Sequence, residues 1–219
     1  TLTLMDQELF MKNYIGLLAP RFNSMISSEK FAKQMARSLE VMQNAPQKGK
    51  TNFQTFVEDF TKGTGLTQGT IWPIFEDFYK HEFPDLRCLV KLSPNSKEVV
   101  EAAKNEGYLV GIGANPVMPI IAMEERVRWA ELSPENFDLV PSIETFHYCK
   151  PHPGFFQELA ENLNLEPQEC LMVGNHPIED LAALEVGMST FYVGEKAEEV
   201  ETTFSGDLAD LLEMIKGKK

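Results

Sequence analysis

The sequence predicts an α/β protein, with a Rossmann-like parallel sheet covered by helices on both faces and a small all-helical domain inserted after the first strand. Beyond Pro84, short apolar runs alternate with helical patterns, which is typical of a parallel sheet joined by right-handed crossovers. Up to Pro84, only helical periodicity is present. A chain of 219 residues holds one good core and a smaller accessory domain. We therefore expect an α/β core at residues 1–4 and 86–219 and a helical domain at residues 5–85.

The helical domain is predicted from apolar residues at helical spacing. Asp6 is a suitable N-cap for the first helix, because its side chain can accept a hydrogen bond from a free backbone N–H. The stripe of this helix is expected to carry Leu9, Phe10, Asn13, Tyr14, Leu17 and Leu18. Three more helices are predicted near residues 28–42, 52–62 and 69–83.

Aromatic residues are concentrated in this helical half. We expect most of them to form the core of a small helical bundle, while a minority could line a substrate cavity. These residues are Phe53, Phe56, Phe60, Trp72, Phe75, Phe78, Tyr79 and Phe83.

After Pro84, four strands are predicted, at residues 108–113, 138–142, 170–173 and 189–193. The first of them is expected to be a buried strand, because its residues form a short apolar run. Helices are expected to separate and follow the strands. Their predicted starts are Asn95 or Ser96, the segment introduced by Pro116 and Pro119, Gly154 and about Gly206.

The stretch around Gly174 is where we expect a ligand to bind. An apolar run ending at Val173 feeds a tight turn at Gly174 and Asn175, and this turn is expected to open a helix. In open α/β sheets, ligands bind outside the carboxyl ends of strands, where backbone N–H groups attract anions and carboxylates can hold a metal ion. His176 and Asp180 are four residues apart, which places them on one face of a helix that begins this early. The alternative is an ordinary strand-to-helix turn with a solvated acid.

Charge and composition limit the possible partners. The formal net charge is −13, which repels nucleic acid and anionic membranes, so we expect neither as a partner. A phosphate-bearing ligand must then be held by a local positive group. No apolar run is long enough to cross a bilayer. Cys88, Cys149 and Cys170 are an odd number at unrelated spacings, which indicates free thiols in a reducing compartment and therefore a cytoplasmic protein.

Polar residues follow three of the predicted strands, in the segments GIGANP (111–116), CKPHP (149–153) and VGNHPIEDLAA (173–183). In this order, the segments resemble the motifs of the haloacid dehalogenase-like phosphohydrolases, and the resemblance covers nearly the whole chain. The helical domain resembles the cap that this family inserts between its first and second motifs.

The resemblance implies a nucleophile that the given sequence does not contain. The first motif of the family is Asp-x-Asp-x-Thr: the first Asp attacks phosphorus, the second acts as general acid and base, and Mg²⁺ screens negative charge. Only Thr1 and Leu2 resemble the close of this motif. We therefore expect the natural chain to begin before Thr1, because a missing central strand would leave buried backbone groups unpaired. The resemblance implies catalytic roles for Thr1 and for Lys150, whose ammonium would neutralise the phosphoryl group or the attacking carboxylate.

The resemblance also implies a substrate-binding set and a metal-binding set, and each departs from the family at one position. Ala114, Asn115 and Asn175 form the substrate-binding set. Ala114 stands where the family has Thr or Ser, and a missing hydroxyl donor costs about 3 kcal/mol of transition-state stabilisation. Asp180 and His176 form the metal-binding set. His176 replaces an Asp, and imidazole is a poor ligand for Mg²⁺, so we expect a weakened Mg²⁺ site.

Four of these residues have a second interpretation. Lys150, which precedes a Pro on a loop, is either a solvated charge or a residue with a structural or catalytic role. Asn115 either caps the following helix or positions the substrate. His176 is either a metal ligand or a helix-start residue that pairs with Asp180 or Glu179. Asp180 could simply complement a helix dipole, which requires no catalysis.

Two hypotheses follow. The first is a cytoplasmic hydrolase of a small phosphorylated metabolite, acting through an aspartyl-phosphate formed upstream of Thr1. The alternative is a catalytically inactive relative that keeps the fold to bind a ligand or a protein. A metal-free dehalogenase ranks third, since it would tolerate His176 but would still need the nucleophile. The sequence carries no signature of a particular oligomeric state.

Overall fold

The computed structural model describes residues 2–47, 49–194 and 200–217. Its helices are α1 (Gln7–Leu18), α2 (Ser28–Asn44), α3 (Asn52–Thr64), α4 (Gln68–His81), α5 (Ser96–Asn105), α6 (Ile120–Trp129), α7 (Pro153–Asn162) and α8 (Leu208–Ile215). Its strands are β1 (Thr3–Met5), β2 (Val90–Leu92), β3 (Leu171–Gly174), β4 (Ser189–Val193) and β5 (Phe204–Gly206). Short 3₁₀ segments lie at Ala19–Phe22, Phe83–Leu89, Pro134–Asn136, Pro167–Glu169 and Leu181–Val186. Within these ranges, every helix is too short or too polar to cross a membrane.

The four helices of the N-terminal half begin close to the residues predicted from the sequence. Asp6 caps α1 as expected, because its Oδ1 accepts a hydrogen bond from the N–H of Leu9 at 2.9 Å. α3 begins with a capping box, in which Thr51 and Gln54 satisfy each other's free backbone N–H groups. The predicted stripe of α1 is too wide: Leu9 and Leu17 are exposed, since the helix packs through one narrower face.

The aromatic residues of this half form one packed core, as predicted for most of them. Phe56, Phe60, Phe75, Phe78, Tyr79 and Phe83 are buried, whereas Phe53 and Trp72 are partly buried and meet edge to face at 4.5 Å. The same core continues into α6, because Trp129 stacks on Phe83 with ring centroids 4.9 Å apart. The division into two domains at residue 85 stays a prediction, since the helical half and α6 share this core.

Two short strands connect the helical half to the rest of the chain. β1 and β2 pair antiparallel, with Thr3 opposite Leu92. This pair could not be predicted from the sequence, because strands of three residues are too short to show an alternating pattern.

The parallel sheet predicted for the C-terminal half is present as β3, β4 and β5. β3 pairs with β4 and β4 with β5, both in parallel, so β3 lies at one edge of this sheet. The predictions for β3 and β4 are confirmed within one residue at each end. β5 was not predicted.

The predicted strand at residues 108–113 forms one parallel bridge, between Gly111 and Leu139, instead of a ladder. The prediction that it is buried is wrong, because Tyr108 and Leu109 are 59% and 50% exposed. Val110 and Ile112 exchange backbone hydrogen bonds with Asp138 and Leu139, and no described strand pairs with the other side of residues 109–113. Val110 and Ile112 pack against the core and are partly buried, whereas Tyr108 and Leu109 at the start of the segment are exposed to solvent.

The free edge of residues 108–113 faces the free edge of β3. A Cβ added at Gly113 would lie 2.8 Å from Cε of Met172, so the side chain of this β3 residue reaches across to the glycine. The described residues thus contain two groups of parallel segments, separated by a gap that side chains bridge and backbone hydrogen bonds do not.

Candidate active site

A buried ion pair lies just beyond the carboxyl end of β3. Nζ of Lys150 lies 2.5 Å from Oδ1 of Asp180, and the two side chains are 9% and 6% exposed. Lys150 follows the loop after Leu139, whereas Asp180 follows β3, so the pair joins the two groups of parallel segments. The structure therefore brings together two residues that the sequence placed 30 positions apart.

Asp180 is held by a tight turn that its own carboxylate stabilises. Its Oδ2 accepts hydrogen bonds from the N–H groups of Asn175, at 2.9 Å, and His176, at 3.0 Å. Gly174 makes room for this arrangement, since a Cβ there would lie 2.2 Å from Oδ2 of Asp180. The α-helix predicted to open at His176 is not formed: residues 177–180 form a turn and a 3₁₀ segment follows. The carboxylate binds backward to the preceding N–H groups and so stabilises a turn rather than a helix.

His176 caps the same turn with its ring. Nδ1 accepts hydrogen bonds from the N–H of Glu179 at 3.0 Å and, more weakly, from that of Ile178 at 3.4 Å. A backbone N–H can only donate, so the ring carries its proton on Nε2. The sequence suggests a helix-start residue that pairs with Asp180 or Glu179, but a turn takes the place of the helix start. The N–H of His176 donates to Oδ2 of Asp180, and its ring contacts the backbone of Glu179 instead of the carboxylate.

Asn115 holds the backbone of Lys150. Its Oδ1 accepts a hydrogen bond from the N–H of Lys150 at 2.7 Å. It does not cap the following helix, because α6 begins after Pro119. The amide therefore ties two loops together at the base of the ion pair, and its role toward substrate stays a prediction.

The other predicted site residues are Ala114, Asn175 and Thr1. Ala114 is partly buried against the apolar core and offers only a methyl group. Asn175 is exposed, and its backbone rather than its side chain contacts Asp180. Thr1 lies outside the described residues. The roles predicted for these residues stay predictions.

Two further side chains fix the loop that leads to Lys150. Glu158 of α7 accepts hydrogen bonds from the backbone N–H of His147 at 3.0 Å and from its Nδ1 at 2.6 Å. Cys149 is buried directly beside Lys150, and burial raises the pKa of its thiol to about 12. Cys149 is therefore an unreactive packing residue and not a nucleophile.

The residues of the site do not fit a Mg²⁺ ion. Mg²⁺ requires several hard oxygen ligands in an octahedron. Oδ1 of Asp180 is paired with an ammonium, Oδ2 accepts two N–H groups, and Nδ1 of His176 accepts another. Across residues 2–47, 49–194 and 200–217, no three His, Cys, Asp or Glu side chains converge on a possible metal position.

A groove of about 400 Å³ lies apart from this site, between α3 and the start of α4. Phe53 and Gln68 lie at its two sides, and all of its lining residues belong to the helical half. Of the aromatic residues considered as cavity lining, Phe53 lines this groove.

Two contributors to the site were missed from the sequence. The sequence predicts Gly174 in the turn, but only the structure shows that a Cβ at this position would overlap the carboxylate of Asp180. Asn52 of α3 contacts both loops behind Lys150. The pattern Thr51-x-x-Gln54 signals the start of α3, but no local pattern signals the distant loops that it contacts.

The chain matches a family of known proteins. The sequence model of that family, described as haloacid dehalogenase-like hydrolase, matches residues 2–193. A pyrophosphatase PpaX of Bacillus cereus is 31% identical over 93 residues, which cover 42% of this chain and 42% of the relative. The chain thus spans less than half of the length of this curated relative.

Solved structures of a phosphatase and of a dehalogenase share the fold. A HAD phosphatase from Thermococcus onnurineus superposes with a TM-score of 0.61 at 18% identity, covering 100% of this chain and 94% of the other. An L-2-haloacid dehalogenase from Xanthobacter autotrophicus, with chloropropionic acid covalently bound, superposes with a TM-score of 0.55 at 15% identity, covering 99% and 95%. At these identities the likeness shows the fold alone.

Proposed function

The chain belongs to the haloacid dehalogenase-like hydrolase family, and from this premise we propose that it hydrolyses a small phosphorylated compound held by Lys150. The observation that carries the proposal is the buried Lys150–Asp180 pair at the carboxyl end of β3, with the two atoms 2.5 Å apart. A buried ammonium fixed at the carboxyl edge of a parallel sheet is a suitable partner for a phosphoryl oxygen.

The ammonium has hydrogen-bonding capacity left for a ligand. A lysine carries three N–H donors, and in the described part of the chain one of them is used, by Asp180. The remaining donors are available for a phosphoryl oxygen or for an attacking carboxylate. Because the whole chain carries a net charge of −13, this local cation is the feature that would attract an anion to the site.

We further propose that the nucleophile is an aspartate upstream of Thr1, on a strand that fills the gap between residues 108–113 and β3. The two unpaired edges facing this gap support the idea, as do the exposed side chains of Tyr108 and Leu109 beside it. A strand in this gap would end next to Lys150 and Asp180.

The proposed reaction has two steps. The first aspartate carboxylate attacks phosphorus and forms an acyl phosphate, while the bond from phosphorus to the leaving oxygen breaks and that oxygen takes a proton from the second aspartic acid of the same upstream motif. Water then loses a proton to the carboxylate of this second aspartate and attacks the acyl phosphate, which releases inorganic phosphate and regenerates the first carboxylate. Lys150 would compensate the negative charge that gathers on the phosphoryl oxygens in both steps. No step is assigned to a metal ion.

The test is phosphate release from p-nitrophenyl phosphate, pyrophosphate and a panel of small phosphate esters by the purified protein, expressed with the upstream segment proposed to carry the aspartate. Lys150→Met should lower kcat/KM by at least about a hundredfold, the effect of removing one donor to a developing charge. Lys97→Met is the control, because Lys97 is half exposed on α5 and should leave the rate unchanged. Equal rates for the wild type and Lys150→Met would refute the role of Lys150.

A second candidate function, ligand binding without turnover, is favoured by two departures from the family pattern. Ala114 has no hydroxyl to donate, and the ring of His176 is committed to the turn. This candidate predicts no phosphate release from any substrate in the panel. It also predicts thermal stabilisation of the wild type by inorganic phosphate, which Lys150→Met should abolish.

A further inference from the structure

The first turn of α3 is inserted between loops that belong to the C-terminal half. The N–H of Asn52 donates to the carbonyl oxygen of Phe146, and the N–H of Phe53 donates to that of Ile143, both at 2.7 Å. The first N–H groups of a helix have no acceptor within the helix. Here the loop carbonyls satisfy two of them, so the start of α3 and residues 143–149 are held together by backbone hydrogen bonds.

The side chain of Asn52 extends this contact to a second loop. It is 1% exposed, and its Nδ2 lies 3.4 Å from the carbonyl oxygens of Pro116 and Tyr148 and 3.5 Å from Sγ of Cys149. Each of these contacts is long, and therefore weak on its own. Together they place one buried amide donor among three acceptors from two different loops.

The two loops meet again directly beside Asn52. Pro116 follows Asn115 and Cys149 precedes Lys150, and the N–H of Lys150 donates to Oδ1 of Asn115 at 2.7 Å. The amide of Asn52 and the amide of Asn115 thus bind the same pair of loops at adjacent positions. A change in the spacing of these loops would move the backbone from which the Lys150 side chain extends toward Asp180.

We propose that Asn52 is a positioning residue for Lys150. By donating to both loops, it fixes their separation and thereby the direction of the ammonium toward Asp180. The contact with substrate is left to Lys150, and the consequence for turnover rests on the function proposed above. Through Asn52, the helical half of the chain contributes to the geometry of a site formed by the C-terminal half.

The matched variants separate positioning from packing. Asn52→Asp keeps the shape of the side chain but replaces its donors with an acceptor that faces two carbonyl oxygens. Thr55→Val is the control, because Thr55 is also buried on α3 and, within the described residues, its hydroxyl donates to neither loop. If Asn52→Asp does not fold, Asn52→Ser carries the test, since its O–H is too short to span both loops.

The experiment is hydrogen–deuterium exchange of the whole protein, followed in peptides that cover residues 143–150 and 171–174. Asn52→Asp should accelerate exchange at residues 143–150 by about tenfold, which corresponds to about 1.4 kcal/mol in the free energy of local opening. Residues 171–174 should exchange at the wild-type rate, and Thr55→Val should change neither peptide.

Wild-type exchange at residues 143–150 in Asn52→Asp would overturn the proposal. Equal acceleration in both peptides would also overturn it, because that result indicates general destabilisation. Exchange requires no turnover, so this outcome is independent of the proposed hydrolysis. If hydrolysis is observed, Asn52→Asp should lower kcat more than it raises KM, whereas Thr55→Val should leave both unchanged.

Discussion

The Lys150–Asp180 pair makes a strong prediction about stability. Both side chains are almost fully buried, at 9% and 6% exposure. Removing one partner of a buried pair leaves an uncompensated charge, which costs about 3 to 5 kcal/mol of the free energy of unfolding. The destabilisation by Lys150→Met should be at the lower end of this range, because two N–H groups still stabilise the carboxylate of Asp180. The destabilisation by Asp180→Asn should be at the upper end, because this change leaves the buried ammonium of Lys150 without its partner and weakens the turn at residues 175–180.

The double variant distinguishes a true pair from two independent effects. Lys150→Met with Asp180→Asn leaves neither charge, so its destabilisation should be smaller than the sum of the two single changes by about 2 kcal/mol. The control pair is Lys97 and Glu101 on α5, which lie 3.9 Å apart and are 52% and 53% exposed. Breaking that exposed pair should change stability by less than about 0.5 kcal/mol.

Chemical denaturation with urea measures all of these free energies, provided that the unfolding is two-state. In thermal unfolding, about 3 kcal/mol corresponds to a decrease in Tm of about 6 to 12 °C for a chain of this size. Additive single and double effects at Lys150 and Asp180 would refute the direct pairing. So would a destabilisation by Lys150→Met no larger than that of the exposed control.

Three further predictions concern single residues. Gly174→Ala should destabilise the protein by at least about 2 kcal/mol, because its Cβ would overlap the carboxylate of Asp180, which holds the turn. Gly16→Ala should stabilise the protein by about 0.5 to 1 kcal/mol, because there is free space around this position of α1. Urea denaturation of the two variants checks this contrast. At pH 8, iodoacetamide should label the exposed Cys88 and leave Cys149 unlabelled, because a pKa of about 12 leaves Cys149 with a negligible fraction of thiolate. Mass spectrometry of the native and of the unfolded protein identifies the labelled cysteines. Mg²⁺ at 5 mM should leave the wild-type Tm unchanged, and His176→Asp should produce a Mg²⁺-dependent increase in Tm because it adds a hard oxygen ligand. An equal Mg²⁺ response in both proteins would contradict the last prediction.

The helices could be predicted from the sequence because their signals are local. The cap at Asp6 and the starts of α2 and α3 depend on side chains within a few residues of each helix end. Local signals are misleading where burial depends on distant partners. The apolar run at residues 108–113 was predicted to be buried, but an apolar run is buried only if other strands cover and pair with it.

The components of the site were predicted, but their arrangement was not. Lys150, Asp180 and Asn115 were each selected from their motifs, and the structure places the first in contact with the other two. The helix predicted after Asn175 failed for a physical reason. The carboxylate of Asp180 and the ring of His176 both accept hydrogen bonds from nearby N–H groups, and this competition stabilises a turn.

The contacts that hold Lys150 in place determine how its ammonium is presented to a ligand. Its backbone is fixed by Asn115, its loop is anchored to α3 through Asn52 and to α7 through Glu158, and its ammonium is fixed by Asp180. A cation held in this way loses little side-chain entropy when an anion binds, so more of the interaction energy is available to stabilise developing charge. Loss of an anchor should therefore lower the rate of a reaction more than the affinity for the substrate. Loss of the ammonium itself should reduce both.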